Sequence, residues 1–218
     1  GDGVLEVVDG NRNNYVVQWK SGAAGDFYDT ANWDRTPRFD GTETFYLDNY
    51  ADGRGGDEDV ITLTKDFCMQ GFICRRSRSL RIVGATGNER IVFGCGADGY
   101  GTQIKGTCES GAVTNTFEVP IAIPGGTLLT RVQFQEKTYN IFKKPWSGGD
   151  LDVPLEFNGT GGLEFCADSP DFLTPFFFNE KTPPRPLVVR APFGLGSPDR
   201  MVKIEKDYLS SVHFCGPV

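Results

Sequence analysis

The sequence predicts an all-β protein folded as a β-solenoid of short, irregular rungs, and three observations carry that reading. Short runs of β-formers recur along the chain with turn residues between them. No window sustains the apolar i, i+3, i+4, i+7 stripe of a helix, so nothing helical beyond a turn or two is expected. The 28 Gly and 13 Pro among 218 residues point the same way. In a helix interior Gly costs about 1 kcal/mol and Pro about 3 kcal/mol. Several runs also look like variants of one unit: Ile91-Val92-Phe93-Gly94-Cys95, Leu155-Glu156-Phe157-Asn158-Gly159, Leu163-Glu164-Phe165-Cys166 and His213-Phe214-Cys215-Gly216. Each sets apolar side chains two apart and then breaks on small or turn residues. One face goes inward, the chain turns a corner, and the coil buries that face only by stacking on the next coil. A two-sheet sandwich or jelly roll, with similar strand lengths and turn spacing, is the competing fold. One domain over 1–218 is expected, with 1–49 as an N-terminal cap or edge region and 169–198 as a Pro/Phe-rich excursion.

The expected strands begin at 4–8, 15–19, 44–47, 60–64, 80–83, 90–93 and 117–123. They continue at 128–134, 139–142, 153–157, 163–166, 187–190, 201–204 and 212–214. The stretch 18–49 stands apart, because it sets Trp19 and Trp33 around a Gly/Asp loop before Pro37 and the apolar run Phe45-Tyr46-Leu47. A long β-structure needs its first open edge covered, since unpaired edges invite aggregation. Two large rings held by that loop fit the task.

The same stretch reads Trp19, Gly22, Gly25-Asp26-Phe27, Asp29, Asn32-Trp33, Pro37 and Asp40. In that order it resembles the opening motif of bacterial autotransporter-type passenger proteins with β-strand repeats. Gly194-Leu195-Gly196-Ser197, preceded by Pro186-Leu187-Val188-Val189, is similar to the repeat ending of those proteins. The resemblance implies a surface-exposed β-structure; the six cysteines depart from it.

Those cysteines are Cys68, Cys74, Cys95, Cys108, Cys166 and Cys215, with no C-x-x-C pair and a single histidine, His213. Zinc sites want closely spaced Cys and His ligands, so three disulfides in an oxidising compartment are expected instead. Fifteen connectivities exist for six cysteines. Neighbours in sequence suggest 68–74, 95–108 and 166–215. Asn158-Gly159-Thr160 is a formal glycosylation sequon. A chain start with no leader at Gly1 fits a processed secretory product or an excised fragment.

The net charge of −7 argues against nucleic-acid binding, which needs a basic face. No run approaches the ~18 apolar residues of a membrane span. Between 40 and 66, eight acids (Asp40, Glu43, Asp48, Asp52, Asp57, Glu58, Asp59, Asp66) outnumber Arg54 and Lys65. Within this block Asp52, Asp57 and Asp59 are candidate calcium ligands on a Gly-rich loop; a solvated acidic loop is the plainer account. Arg75, Arg76, Arg78 and Arg81 follow, either as a patch that offsets those acids or as a contact surface for a neighbouring copy or an anionic glycan. Phe176, Phe177 and Phe178 either cap the body's own core or form an apolar patch that docks a partner. Trp146 is a candidate sugar-stacking ring or a packed corner.

No nucleophile–base pair, phosphate loop or G-x-S-x-G elbow appears, and His213 in an alternating strand reads as structural. The expectation is a secreted structural or adhesive cell-surface protein that assembles with copies of itself. A carbohydrate-binding module is the second expectation, and a polysaccharide-degrading β-helix enzyme the third.

Overall fold

The computed structural model describes residues 16–20, 24–39, 43–48, 58–69, 71–76, 79–93, 103–108, 112–125, 130–134, 137–178, 186–197, 202–203 and 212–215. Its strands fall into three sheets, and every strand pair within them is parallel. Sheet 1 runs β1 (Val16–Gln18), β3 (Thr44–Asp48), β6 (Gly71–Arg76), β9 (Gln103–Cys108), β12 (Thr130–Phe134), β15 (Leu155–Asn158), β17 (Phe176–Phe178) and β19 (Val202–Lys203). Sheet 2 runs β2 (Ala24–Asp26), β4 (Glu58–Leu63), β7 (Ser79–Gly84), β10 (Val113–Phe117), β13 (Thr138–Phe142), β16 (Gly162–Phe165), β18 (Leu187–Val189) and β20 (Val212–Phe214). Sheet 3 holds β5 (Phe67–Met69), β8 (Ile91–Phe93), β11 (Ile121–Ile123) and β14 (Trp146–Gly148). From β3 to β14 each coil visits the three sheets in turn, and the flanking coils place strands in sheets 1 and 2, which is a β-solenoid. Parallel pairing throughout overturns the sandwich and jelly roll, because both are built from antiparallel neighbours.

Coil length varies widely. Phe72 pairs with Ile104, 32 positions on, whereas Leu155 pairs with Phe176, 21 positions on. The longer coil includes the sheet 3 strand β8, and the shorter one passes from β16 to β17 with no sheet 3 strand, so no single period runs through the sequence.

Inward positions hold the apolar half of each alternation. Phe117, Phe142 and Phe165 occupy one column on β10, β13 and β16, with centroids 4.9 and 5.3 Å apart and ring planes 15° and 21° from parallel. That spacing is close to the ~4.8 Å between paired strands, so one ring per coil stacks without strain. A polar column lies inside too. Asn115 Nδ2 donates to Asn140 Oδ1 at 2.8 Å, and Asn140 Nδ2 donates to the Gly162 carbonyl at 3.2 Å. These bonds satisfy groups that burial would otherwise leave costly.

Several expectations are corrected here. The expected strand 117–123 is two strands, because Pro120 sits at the corner and its carbonyl accepts from Ile91 N. Far from leaving the body as an excursion, the 169–198 stretch supplies β17 to sheet 1 and β18 to sheet 2. Phe176 and Phe178 point inward and are each 1% exposed, so they are core and not a docking patch; Phe177, between them, is half-buried. Trp146 is 2% exposed, ringed by Phe142, Phe157, Phe165, Phe172 and Phe176, and cannot stack on a sugar. The only described helix is the 3-10 turn Thr30–Asn32, and no described helix is long and apolar enough to cross a membrane.

The first coil is closed as the stretch 18–49 suggests. Trp19 and Trp33 form an antiparallel bridge. Lys20 N donates to Asn32 O at 2.6 Å and Asp34 N to Gln18 O at 2.9 Å, covering the outer edge where β1 ends. Asn32 Nδ2 reaches the Asp26 carbonyl at 3.0 Å, and Trp33 Nε1 the Phe27 carbonyl at 2.8 Å. A Cβ on Gly25 would lie 3.0 Å from Asn32 Nδ2, which is why the loop passes so close there.

Candidate functional site

The most elaborate polar arrangement among the described residues lies on the outer face of sheet 2. It centres on Glu164 in β16. Alternation sends Glu164 outward, yet only 7% of it is exposed. Gly162 explains part of this cover, since a Cβ there would lie 2.3 Å from Tyr139 Cδ2; the bare backbone lets the tyrosine ring lie across the next coil. Tyr139 then donates its hydroxyl to Glu164 Oε2 at 2.5 Å. From the coil after, Arg190 Nε donates to Oε1, and the Cys166 thiol donates to the same oxygen at 3.4 Å.

Burial opposes ionisation of Glu164, but hydrogen bonds from Arg190, Tyr139 and Cys166 outweigh it and hold the carboxyl below its usual range. Burial, then the bond to Glu164, raises the Tyr139 phenol. The same two causes push the Cys166 thiol up to about 11. At neutral pH the carboxylate is therefore charged while its two neutral donors keep their protons. A general acid or base works best with a pKa near the operating pH, and none of these groups has one. The arrangement is a charge-assisted clamp across three successive coils.

Simpler pairs repeat the theme on the same face: Glu58 with Arg81 at 3.0 Å and Glu118 with Lys143 at 2.9 Å. In each case, as with Glu164 and Arg190, the acid sits on the earlier coil and the base on the next. At a corner, Asp66 takes both Arg90 Nε at 3.0 Å and Nη2 at 2.6 Å.

The column just past the ends of the sheet 2 strands reads Lys143, Cys166, Arg190 and Cys215, each backbone N–H bonding the preceding coil. Cys166 and Cys215 thus lie two strand spacings apart, ~9–10 Å, with Arg190 between them. A disulfide needs Cα atoms within ~7 Å, so the expected 166–215 bridge is excluded by register. Cys68, on β5, is also a free thiol, so the 68–74 bridge is not formed. Cys74 and Cys108 lie on β6 and β9, and Cys95 lies outside the described residues.

The other expected site residues are scattered. Asp59 is on β4 with an inward, fully buried side chain, where an open calcium loop cannot use it; Asp52 and Asp57 lie outside the described residues. Among the described residues no group of three or more His, Cys, Asp or Glu is placed to hold a metal. Arg75 and Arg76 are on β6, Arg78 is outside the described residues, and Arg81 meets Glu58 of the acidic block. His213 is exposed on β20, beside Val188. Sequence reasoning missed the Glu164 clamp. Leu163-Glu164-Phe165 was recognisable as a rung, but Tyr139 and Arg190 are 25 and 26 positions away, and only the coil length connects them.

Compared with models of known protein families, with curated proteins and with solved structures, the chain matches none.

Proposed function

We propose that this chain is a structural or adhesive element of an extracellular surface, a solenoid rod that joins copies of itself along its axis. The observation that carries the reading is the unlike treatment of the two ends. At the first coil, backbone and side chains of Asn32 and Asp34 occupy the edge beyond β1 and β2. At the last coil, β20 pairs with β18 alone among the described residues. A parallel edge of that kind accepts one more strand by augmentation. The alternating sequence 4–8, outside the described residues, is the segment we assign to the edge of the next copy. Contacts between two different surfaces propagate into a polymer when their rotation does not close. Clamps such as Glu164 with Tyr139 and Arg190 suit a rod under load. The resemblance of the Trp19–Trp33 motif to autotransporter-type passengers fits the same reading, with surface glycans as a second class of partner.

Sedimentation velocity of the purified chain tests the reading. Association that grows with concentration, and weakens on removing residues 1–8 or reversing Arg75, Arg76 and Arg78 to Glu, is the expected result. A chain that stays monomeric at every concentration would leave the reading without support.

A further inference from the structure

The turn between β15 and β16 carries Asn158-Gly159-Thr160. β15 alternates buried and half-buried, which turns Leu155 and Phe157 inward and Glu156 and Asn158 outward. Gly159 adopts a φ of +98°, and a Cβ there would lie 1.9 Å from the Phe134 carbonyl oxygen. The chain therefore turns sharply immediately after Asn158, with no side chain in the middle position, and Thr160 is exposed at the corner. An outward amide, a bare turn and an exposed hydroxyl two residues on make a sequon that a glycan-transferring enzyme can reach.

We propose that Asn158 is a glycan acceptor, an assignment that rests on the extracellular reading above. The co-reactant is an oligosaccharide carried on a polyprenyl diphosphate. The amide Nδ2 attacks the anomeric carbon and gives up one proton, forming an N–C bond. The bond from that carbon to the diphosphate oxygen breaks, and the lipid diphosphate leaves. No oxidant or reductant is involved. The glycan stands at the outer end of sheet 1, where its bulk keeps copies from packing side by side at that corner and leaves the solenoid axis free for association.

The native protein is digested, and the peptide containing Asn158 is weighed before and after enzymatic removal of N-linked glycans. The expected result is a peptide heavier by a glycan, which the enzyme releases while leaving an aspartate at that position. A peptide found only at its unmodified mass overturns the proposal. A second arm secretes variants from a glycosylating host: wild type and Thr160→Ser shift in mobility, whereas Asn158→Gln and Thr160→Val do not. A shift that persists in Thr160→Val overturns the assignment to this sequon. The two readings fail separately. An unmodified native chain that still polymerises refutes only the glycan, and a glycosylated chain that is strictly monomeric refutes only the filament.

Discussion

Around Trp33 the rings meet edge to face, whereas Phe142 lies almost parallel to the phenylalanines before and after it in its column. Trp33 makes angles of 84°, 80° and 72° with Trp19, Phe27 and Phe45. Phe142 makes angles of 15° and 21° with Phe117 and Phe165. Both centres are fully buried aromatic clusters. Their difference follows from what surrounds each ring. A ring with a coil on both sides stacks on the same position above and below. Around Trp33 the ring contacts come from Trp19 and Phe27, where the chain folds back across the open end, and from Phe45 of the next coil. The column repeats one near-parallel stack, whereas the cap sets crossed rings around Trp33 beside two near-parallel pairs, Trp19 with Phe27 and Phe39 with Phe45, each at 14°.

The largest expected effects come from removing a ring from each centre. Phe165→Ala and Trp33→Ala should each cost about 3–5 kcal/mol, but in different places. Loss of Phe165 cuts the stack in mid-body and should lower the protection of β13, β16 and β18 together in hydrogen exchange. Loss of Trp33 should free the amides of β1 to β3 while β13 and β16 stay protected. If both variants lose protection over the same strands, the distinction between cap and stack is wrong.

Glycine substitutions sharpen the comparison at smaller scale. Gly162→Ala forces a Cβ into the Tyr139 ring and should cost about 1–3 kcal/mol in chemical denaturation. Gly25→Ala meets only the end of the Asn32 side chain at 3.0 Å, so a smaller loss, about 1 kcal/mol, is expected in the cap. A polar contrast follows. Asn140→Leu strands its partner Asn115 and should cost about 1–3 kcal/mol, while the double change of Asn115 and Asn140 to Leu should recover part of that loss.

The clamp predicts a pH dependence. Because the folded-state pKa of Glu164 is depressed, its contribution is fully present above the unfolded-chain value and drains away as pH falls through the folded one. Unfolding midpoints followed below pH 4.5 should fall more steeply for the wild type than for Glu164→Gln. Arg81→Ala, which breaks an exposed pair, should cost under about 1 kcal/mol and nothing measurable in high salt.

What the sequence revealed and what it hid divide along the same line. The rungs were legible because Ile91-Val92-Phe93 and Leu163-Glu164-Phe165 alternate over a few residues, a local property. So was the cap, whose Trp19 and Trp33 lie 14 positions apart in a single loop-rich stretch. Gly71–Arg76 and Gln103–Cys108 were missed as strands because arginines and polar residues mask their alternation, and partners on both sides hold them in place. Trp146 and Phe176–Phe178 were left open between core and surface because glycines and prolines around them suggested loops. Those glycines and prolines shape corners instead, and the rings beside them turn inward. The Glu164 clamp stayed hidden because Tyr139 and Arg190 lie 25 and 26 positions away on neighbouring coils, a distance that only the coil length brings together.

The claim that copies extend the solenoid along its own axis is tested most directly by X-ray fibre diffraction from concentrated, aligned material. The account predicts polymers with a meridional spacing of ~4.8 Å, since paired strands run across the axis at that separation. Material that gives no polymers at high concentration, or polymers whose strand spacing lies across the fibre instead of along it, would contradict it.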